Sequence, residues 1–119
     1  MYNFEKLKVW QKSMEACESI YKVTRTFPRE ETFGLKSQLR RAITSVPLNI
    51  AEGSSYASKK DFARFLRAAL GSQFEAITII KLSYRLNFLS KNLHNELLSK
   101  AEEIGKLLYG LINSLKTNN

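Results

Sequence analysis

Residues 58–89 read SKKDFARFLRAALGSQFEAITIIKLSYRLNFL, with no proline and a single glycine, Gly71. Phe62, Phe65, Leu66, Ala69, Ile77, Ile80 and Tyr84 fall on one side when projected at about 100° per residue, a helical and not an alternating pattern. Ser58 is placed to cap the amide of Asp61, with Asp61 reaching back in a weaker form of the Ser-x-x-Glu box. The stretch predicts one helix running unbroken to about Leu89, a rod of about 45 Å at ~1.5 Å per residue. Leu82, Leu86 and Leu89 point roughly away from the core side, with Leu70 and Phe74 on the flank, so the later half is apolar nearly all round. Each leucine left in water forgoes about 1.5–3 kcal/mol. Burial of Leu70, Phe74, Leu82, Leu86 and Leu89 against another copy of the chain is therefore the preferred expectation. The alternative is a cover provided by a splayed fourth helix or by the turn at 87–92.

Working outward, three more apolar-periodic stretches flank this rod. In the first, Leu7, Trp10, Met14, Cys17, Tyr21 and Thr24 form a seam widened by Val9, Ala16, Ile20, Val23 and Phe27, and Pro28 closes it. The second, about Thr32 to Glu52, carries Leu35, Leu39, Ala42, Ile43, Val46 and Ile50, with Gly53 suited to a left-handed position after a helix. Pro47 lies inside it and forfeits the bond to the Ile43 carbonyl, so the helix either kinks, the preferred expectation, or restarts with Ser45 as cap. The last, from about Ser90 or Asn92 to Leu115, carries Leu97, Ala101, Ile104, Leu108, Leu111 and Leu115, and its tail from Lys116 to Asn119 is expected to fray. Short connections make neighbouring helices antiparallel. The expected fold is all-α, a single-domain, up-down-up-down four-helix bundle over residues 1–119.

Composition narrows the function. The chain has 119 residues, 44% hydrophobic and 25% charged, which suits one globular domain. No apolar run approaches the roughly 18 residues of a membrane span, and Glu5, Lys6 and Lys8 stand where a signal peptide would be apolar, so a cytoplasmic location is expected. One cysteine (Cys17) and one histidine (His94) exclude an internal disulfide and a Cys/His zinc site. No nucleophile with its base and no paired carboxylates in an apolar pocket are visible, so an enzyme is not expected, and neither is a cofactor. The segment G53-S-S-Y-A-S-K-K60 departs from a phosphate-binding loop: Ser58 replaces the second glycine, Lys60 the hydroxyl, and a helix precedes it.

The net charge is +8, and seven of the 19 Lys and Arg lie between residues 34 and 67 against two acids, Glu52 and Asp61. Lys60, Arg64 and Arg67 follow helical spacing on the face turned from the core, and Lys36 and Arg40 share a face of the second helix, near Arg41. Lys59 and Lys60 in a first helical turn oppose the helix dipole. With the Ser54, Ser55 and Ser58 hydroxyls and the free amides they would suit a phosphate; solvation of both lysines is the plainer alternative. Tyr56 is the one tyrosine placed to stack on a base. Gln38, Arg41, Ser45, Asn49 and Glu52 form a polar stripe, read as a wet face. Lys36, Arg40, Arg41, Lys59, Lys60, Arg64 and Arg67 are thus the candidate nucleic-acid-binding residues, contacting RNA or DNA mainly through phosphates.

The runs F4-E-K-L-K-V-W-Q11, F27-P-R-E-E-T-F-G-L35, S37-Q-L-R-R-A42, S45-V-P-L-N-I-A-E-G53, F62-A-R-F-L66 and A69-L-G-S72 together resemble the four-helix-bundle family named for proteins encoded in intervening sequences of bacterial 23S rRNA genes. The resemblance spans nearly the whole chain and includes Pro47, while Lys59 and Lys60 fall in a loop that varies in that family. It implies an antiparallel bundle assembling as a homopentameric ring, and little about activity. The family is also similar to the accessory protein of diversity-generating retroelements, a basic pentameric barrel that associates with nucleic acid and a reverse transcriptase. The leading expectation is a non-enzymatic homo-oligomer that binds RNA or DNA with little sequence preference. The alternative is an interaction scaffold that docks a nucleic-acid-processing protein, its charge serving solubility.

Overall fold

The computed structural model describes residues 1–116 and turns each apolar-periodic stretch into a helix. These are α1 (Lys8–Thr24), α2 (Leu35–Ser54), α3 (Lys59–Arg85) and α4 (Lys91–Ser114), with short 3-10 turns at Asn3–Lys6 and Arg29–Glu31. No strand occurs among the described residues, and none of their helices is long and apolar enough to cross a membrane. The expected fraying of the tail falls, for residues 117–119, outside the described residues. Each helix packs on its neighbours in the chain and α4 closes on α1, with the α2–α3 seam the most extensive; among the described residues the backbones of α1 and α3, and of α2 and α4, do not approach closely. The result is a rod of 49 × 24 × 21 Å.

In α1 the buried positions are Val9, Ser13, Ala16, Ile20 and Thr24, about one residue round from the expected seam. Met14 and Tyr21 are exposed, and Trp10 and Cys17 half-buried along the α2 side. Ser13 and Thr24 tolerate complete burial because each hydroxyl donates to the carbonyl four residues back, Val9 and Ile20. The helix ends at Thr24, ahead of Pro28: Arg40 of α2 donates from Nη2 to the Tyr21 carbonyl at 3.0 Å and from Nε to Thr24 Oγ1 at 2.9 Å, capping the last turn.

Helix α2 continues through Pro47, without a restart at Ser45. The Ile43 carbonyl that proline leaves without its helical donor accepts the Cys17 thiol of α1 at 3.4 Å. Gly53 is not left-handed, for no glycine has positive φ among the described residues. It is a buried position inside α2, where a Cβ would lie 2.6 Å from Phe65 Cβ. Its role is close approach of two helices.

Helix α3 starts as expected, Ser58 Oγ accepting the Asp61 amide at 3.0 Å, although the Asp61 carboxylate lies 3.8 Å from Arg64 instead of reaching back. It stops at Arg85, short of Leu89. Asn87 takes φ 65°, its amide donates to Tyr84 at 3.0 Å and the Phe88 amide donates to Ser83 at 2.9 Å, the bond pair of a Schellman ending. The chain then folds back, so Leu89 is buried in the core at 4% exposure. Its assignment to an outer contact is corrected accordingly. The buried face of α3 is Ala63, Leu66, Ala69, Gln73, Ala76, Ile79, Ile80 and Ser83; Phe62, Phe65 and Ile77 stand at the seams and Tyr84 outside. Helix α4 opens on Ser90, whose hydroxyl accepts the Leu93 amide at 3.2 Å.

Candidate nucleic-acid interface

The seven candidate cations do not form one patch. Lys36, Arg40 and Arg41 surround a depression of about 350 Å³ that also borders Tyr21, Phe33 and Thr44. Arg40 is engaged there: besides capping α1 its guanidinium lies 4.2 Å from the centre of the Tyr21 ring. Phe33 at its rim is 96% exposed, a feature with no counterpart in the sequence argument.

Lys59, Lys60, Arg64 and Arg67 are all exposed, at the other end of α2; from Arg41 to Ser54 the helix rises about 20 Å. Lys60 and Arg67 border a second depression of about 350 Å³, between α3 and the end of α4, which also meets Ile112, Leu115 and Lys116. Lys116 is a cation that sequence reasoning missed, because only the closure of α4 onto α3 brings it there. Arg64 lies over the Phe65 ring at 4.7 Å.

In the loop between α2 and α3 the serine hydroxyls are engaged within the chain. Ser54 Oγ donates to Ala51 and Ser55 Oγ to Glu52, both at 2.7 Å, while Ser58 Oγ caps α3. All three hydroxyls satisfy helix ends. Tyr56 stacks on Phe65, ring centres 5.1 Å apart, so one of its faces is occupied from within. In the polar stripe of α2, Asn49 donates to the Ser45 carbonyl at 2.8 Å and Ser45 Oγ pairs with Ser72 of α3 at 2.9 Å, tying the stripe to α3.

The outer stripe of α3 continues past its basic half. Lys60, Arg64, Arg67, Gly71, Phe74, Thr78, Leu82 and Arg85 all lie within about 40° of one line at 100° per residue. Phe74, Leu82 and Leu86 are 52%, 42% and 47% exposed, whereas Leu70 packs half-buried on the core. Three of the five expected contact residues are therefore free on the outside of the chain.

No group of His, Cys, Asp and Glu side chains among the described residues is arranged to hold a metal ion. Burial, with the nearby Glu18 charge adding to it, pushes the Cys17 thiol up to about 11. It is a protonated S–H donor to Ile43, not a nucleophile.

Against known proteins, a family model described as 23S rRNA-intervening sequence protein matches residues 5–110. A crystal structure of a protein with unknown function from the S23 ribosomal protein family, from Bacteroides thetaiotaomicron, superposes with a TM-score of 0.80; it is 26% identical, over 88% of this chain and 95% of that one. No curated protein matches.

Proposed function

Because the chain belongs to the 23S rRNA-intervening sequence protein family, we propose that it is a non-enzymatic, cytoplasmic, up-down-up-down bundle that assembles as a homopentameric ring and binds RNA or DNA with little sequence preference. The observation that carries this is the outer stripe of α3. Its first half presents Lys60, Arg64 and Arg67 to solvent, and its second half presents Phe74 and Leu82, with Leu86 beside them. A basic surface and an apolar one share one rigid rod, so contact between copies through the apolar half leaves the basic halves gathered at one end. Cations pooled in this way bind phosphates by releasing condensed counterions. The short connections at 55–58 and 86–90 favour antiparallel neighbours.

Fluorescence anisotropy with labelled duplex and single strands over a range of salt tests the binding. Reversal of Lys60, Arg64 and Arg67 to Glu is expected to weaken every sequence alike, and each lost contact to lower the slope of log K against log salt by about 0.9 for duplex DNA or about 0.7 for single strands. An unchanged slope refutes the stripe. Native mass spectrometry with and without nuclease reads the subunit number and retained polyanion together.

A second reading, a scaffold docking a nucleic-acid-processing protein, is favoured by one observation. An almost wholly apolar groove of about 420 Å³ between α1 and α2 is lined by Phe4, Trp10, Met14, Pro47 and Leu48, and Leu48 is 66% exposed. Pull-down of a single protein that survives nuclease treatment, with no salt-dependent nucleic-acid binding, would select it.

A further inference from the structure

A depression of about 520 Å³ lies where the last turns of α3 meet the first turn of α4, and Thr78, Lys81, Leu82, Tyr84, Arg85 and His94 line it. Its volume is in the range of small-ligand sites, and its lining is mixed in a particular way. Lys81 and Arg85 stand one helical turn apart, and neither lies within ion-pair distance of a carboxylate among the described residues, whose ion pairs involve only Lys12 and Arg64. Tyr84 and His94 are paired rings with centres 4.6 Å apart. His94 Nδ1 is oriented by Asn95 Oδ1 at 2.9 Å, which holds the imidazole on Tyr84. Leu82 supplies an apolar wall.

We propose that this pocket takes one nucleotide unit of a single strand, its phosphate between Lys81 and Arg85 and its base stacked on the Tyr84–His94 pair. Unpartnered cations fit a phosphate and an aromatic pair fits the flat face of a base, and a base inside a duplex stack cannot reach such a pocket. The pocket joins Thr78, Leu82 and Arg85 of the outer stripe to His94 of α4, so it shares Leu82 with the proposed contact between copies, and Lys81 stands about 20 Å along α3 from Arg67 of the basic cluster. It gives a surface that otherwise reads only phosphates a preference for unpaired strands. The proposal rests on the nucleic-acid reading above and deepens it.

The test is anisotropy of the full chain with a labelled ten-nucleotide single-stranded RNA and with a duplex of equal length, alongside NMR titration with adenosine monophosphate. Tyr84→Leu is expected to weaken single-strand binding about tenfold, within the range found when a stacking ring is removed, and to leave the duplex unchanged. Tyr84→Phe keeps the ring and restores binding; Lys81→Glu with Arg85→Glu abolishes the difference between strand types. Equal affinity for both strands, indifferent to Tyr84→Leu, overturns the pocket and leaves the general surface standing. Should neither polymer bind, the surface reading fails by itself; the pocket then stands if the mononucleotide shifts the Tyr84 and His94 resonances, and is overturned if it does not. A fall in subunit number for the Lys81/Arg85 variant, with no mononucleotide effect in the unchanged chain, overturns it by assigning the pocket to a contact between copies.

Discussion

Gly53→Ala is expected to destabilise the chain although alanine is the better helix former. The residue lies inside α2, where Ala in place of Gly contributes about 1 kcal/mol in favour of the helix. Its new Cβ would stand 2.6 Å from Phe65 Cβ, 3.0 Å from Phe62 Cδ1 and 3.3 Å from Phe65 Cγ. The nearest of these is fixed to the α3 backbone and cannot swing aside, so the helices must separate by roughly 1 Å along their most extensive seam. Overpacking of this kind costs about 1–3 kcal/mol, and an immovable partner places it near the upper end. The expected net loss is about 1–2 kcal/mol, or a fall of about 4–8 °C in Tm for a chain of this length. Gly110→Ala is the control: Gly110 is exposed in α4 and a Cβ there meets nothing within 4 Å, so the same change should stabilise by about 0.5–1 kcal/mol. Urea denaturation followed by circular dichroism, at one fixed subunit concentration because association alters apparent stability, measures both. Equal or greater stability of Gly53→Ala would refute the close-approach argument.

Asn87→Ala should cost about 1 kcal/mol and Asn87→Gly close to nothing in the same assay, since only the left-handed turn at φ 65° distinguishes them. Cys17, raised from 9.0 to about 11, has about a hundredfold less thiolate at pH 8 than an unperturbed thiol. Its alkylation should accordingly be slow at pH 8 and accelerate as pH rises toward 11, and alkylation at the rate of a free thiol would refute its burial. Replacement of Phe74, Leu82 and Leu86 together by Lys should lower the subunit number seen by native mass spectrometry while helix content is kept; an unchanged number would count against the α3 contact.

Local signals made the helices legible. Ser58 and Ser90 cap as their spacing implies, because a hydroxyl and an amide three residues on need nothing else from the fold. The helix ends were harder to read. Gly53 looked like a stop, but a glycine that ends a helix and one that admits a neighbour are identical in sequence, and only Phe65 on another helix distinguishes them. Asn87 did carry a signal, as a residue tolerant of left-handed geometry, that the apolar run around it obscured; with it went the placement of Leu89. The candidate cations were identified individually but not as groups. Residues 36–41 and 59–67 are close in sequence, yet α2 holds them at opposite ends, and Lys116, Lys81 and Arg85 enter depressions that exist only once α4 is docked.

The make-up of the core bears on the proposed assembly. The buried centre combines Ile20, Leu39, Ile43, Ile50, Leu66, Ile80, Ile104 and Leu108 with the smaller Ser13, Ala16, Thr24, Ala69, Ala76, Ser83 and Ala101, in a bundle 24 × 21 Å across. Ser13, Thr24 and Gln73 each find a backbone carbonyl to take a proton, Ala101 serving the Gln73 amide, whereas Ser83 Oγ has no partner among the described residues. The centre is aliphatic, and Phe27 is the one buried aromatic ring among the described residues. Trp10, Phe62, Phe65 and Ile77 stand at the seams, and Met14, Leu48, Phe74, Leu82 and Leu86 outside. Counting Trp10, Met14, Phe62, Phe65 and Ile77 as core is what turned the expected core of α1 and α3 toward the seams. Three large apolar side chains on the outer side of one helix are worth about 1.5–3 kcal/mol each when buried, which is the driving force available to the proposed contact between copies. In the proposed assembly a contact between copies would bury the outward stripe on α3 without any change in the fold of each.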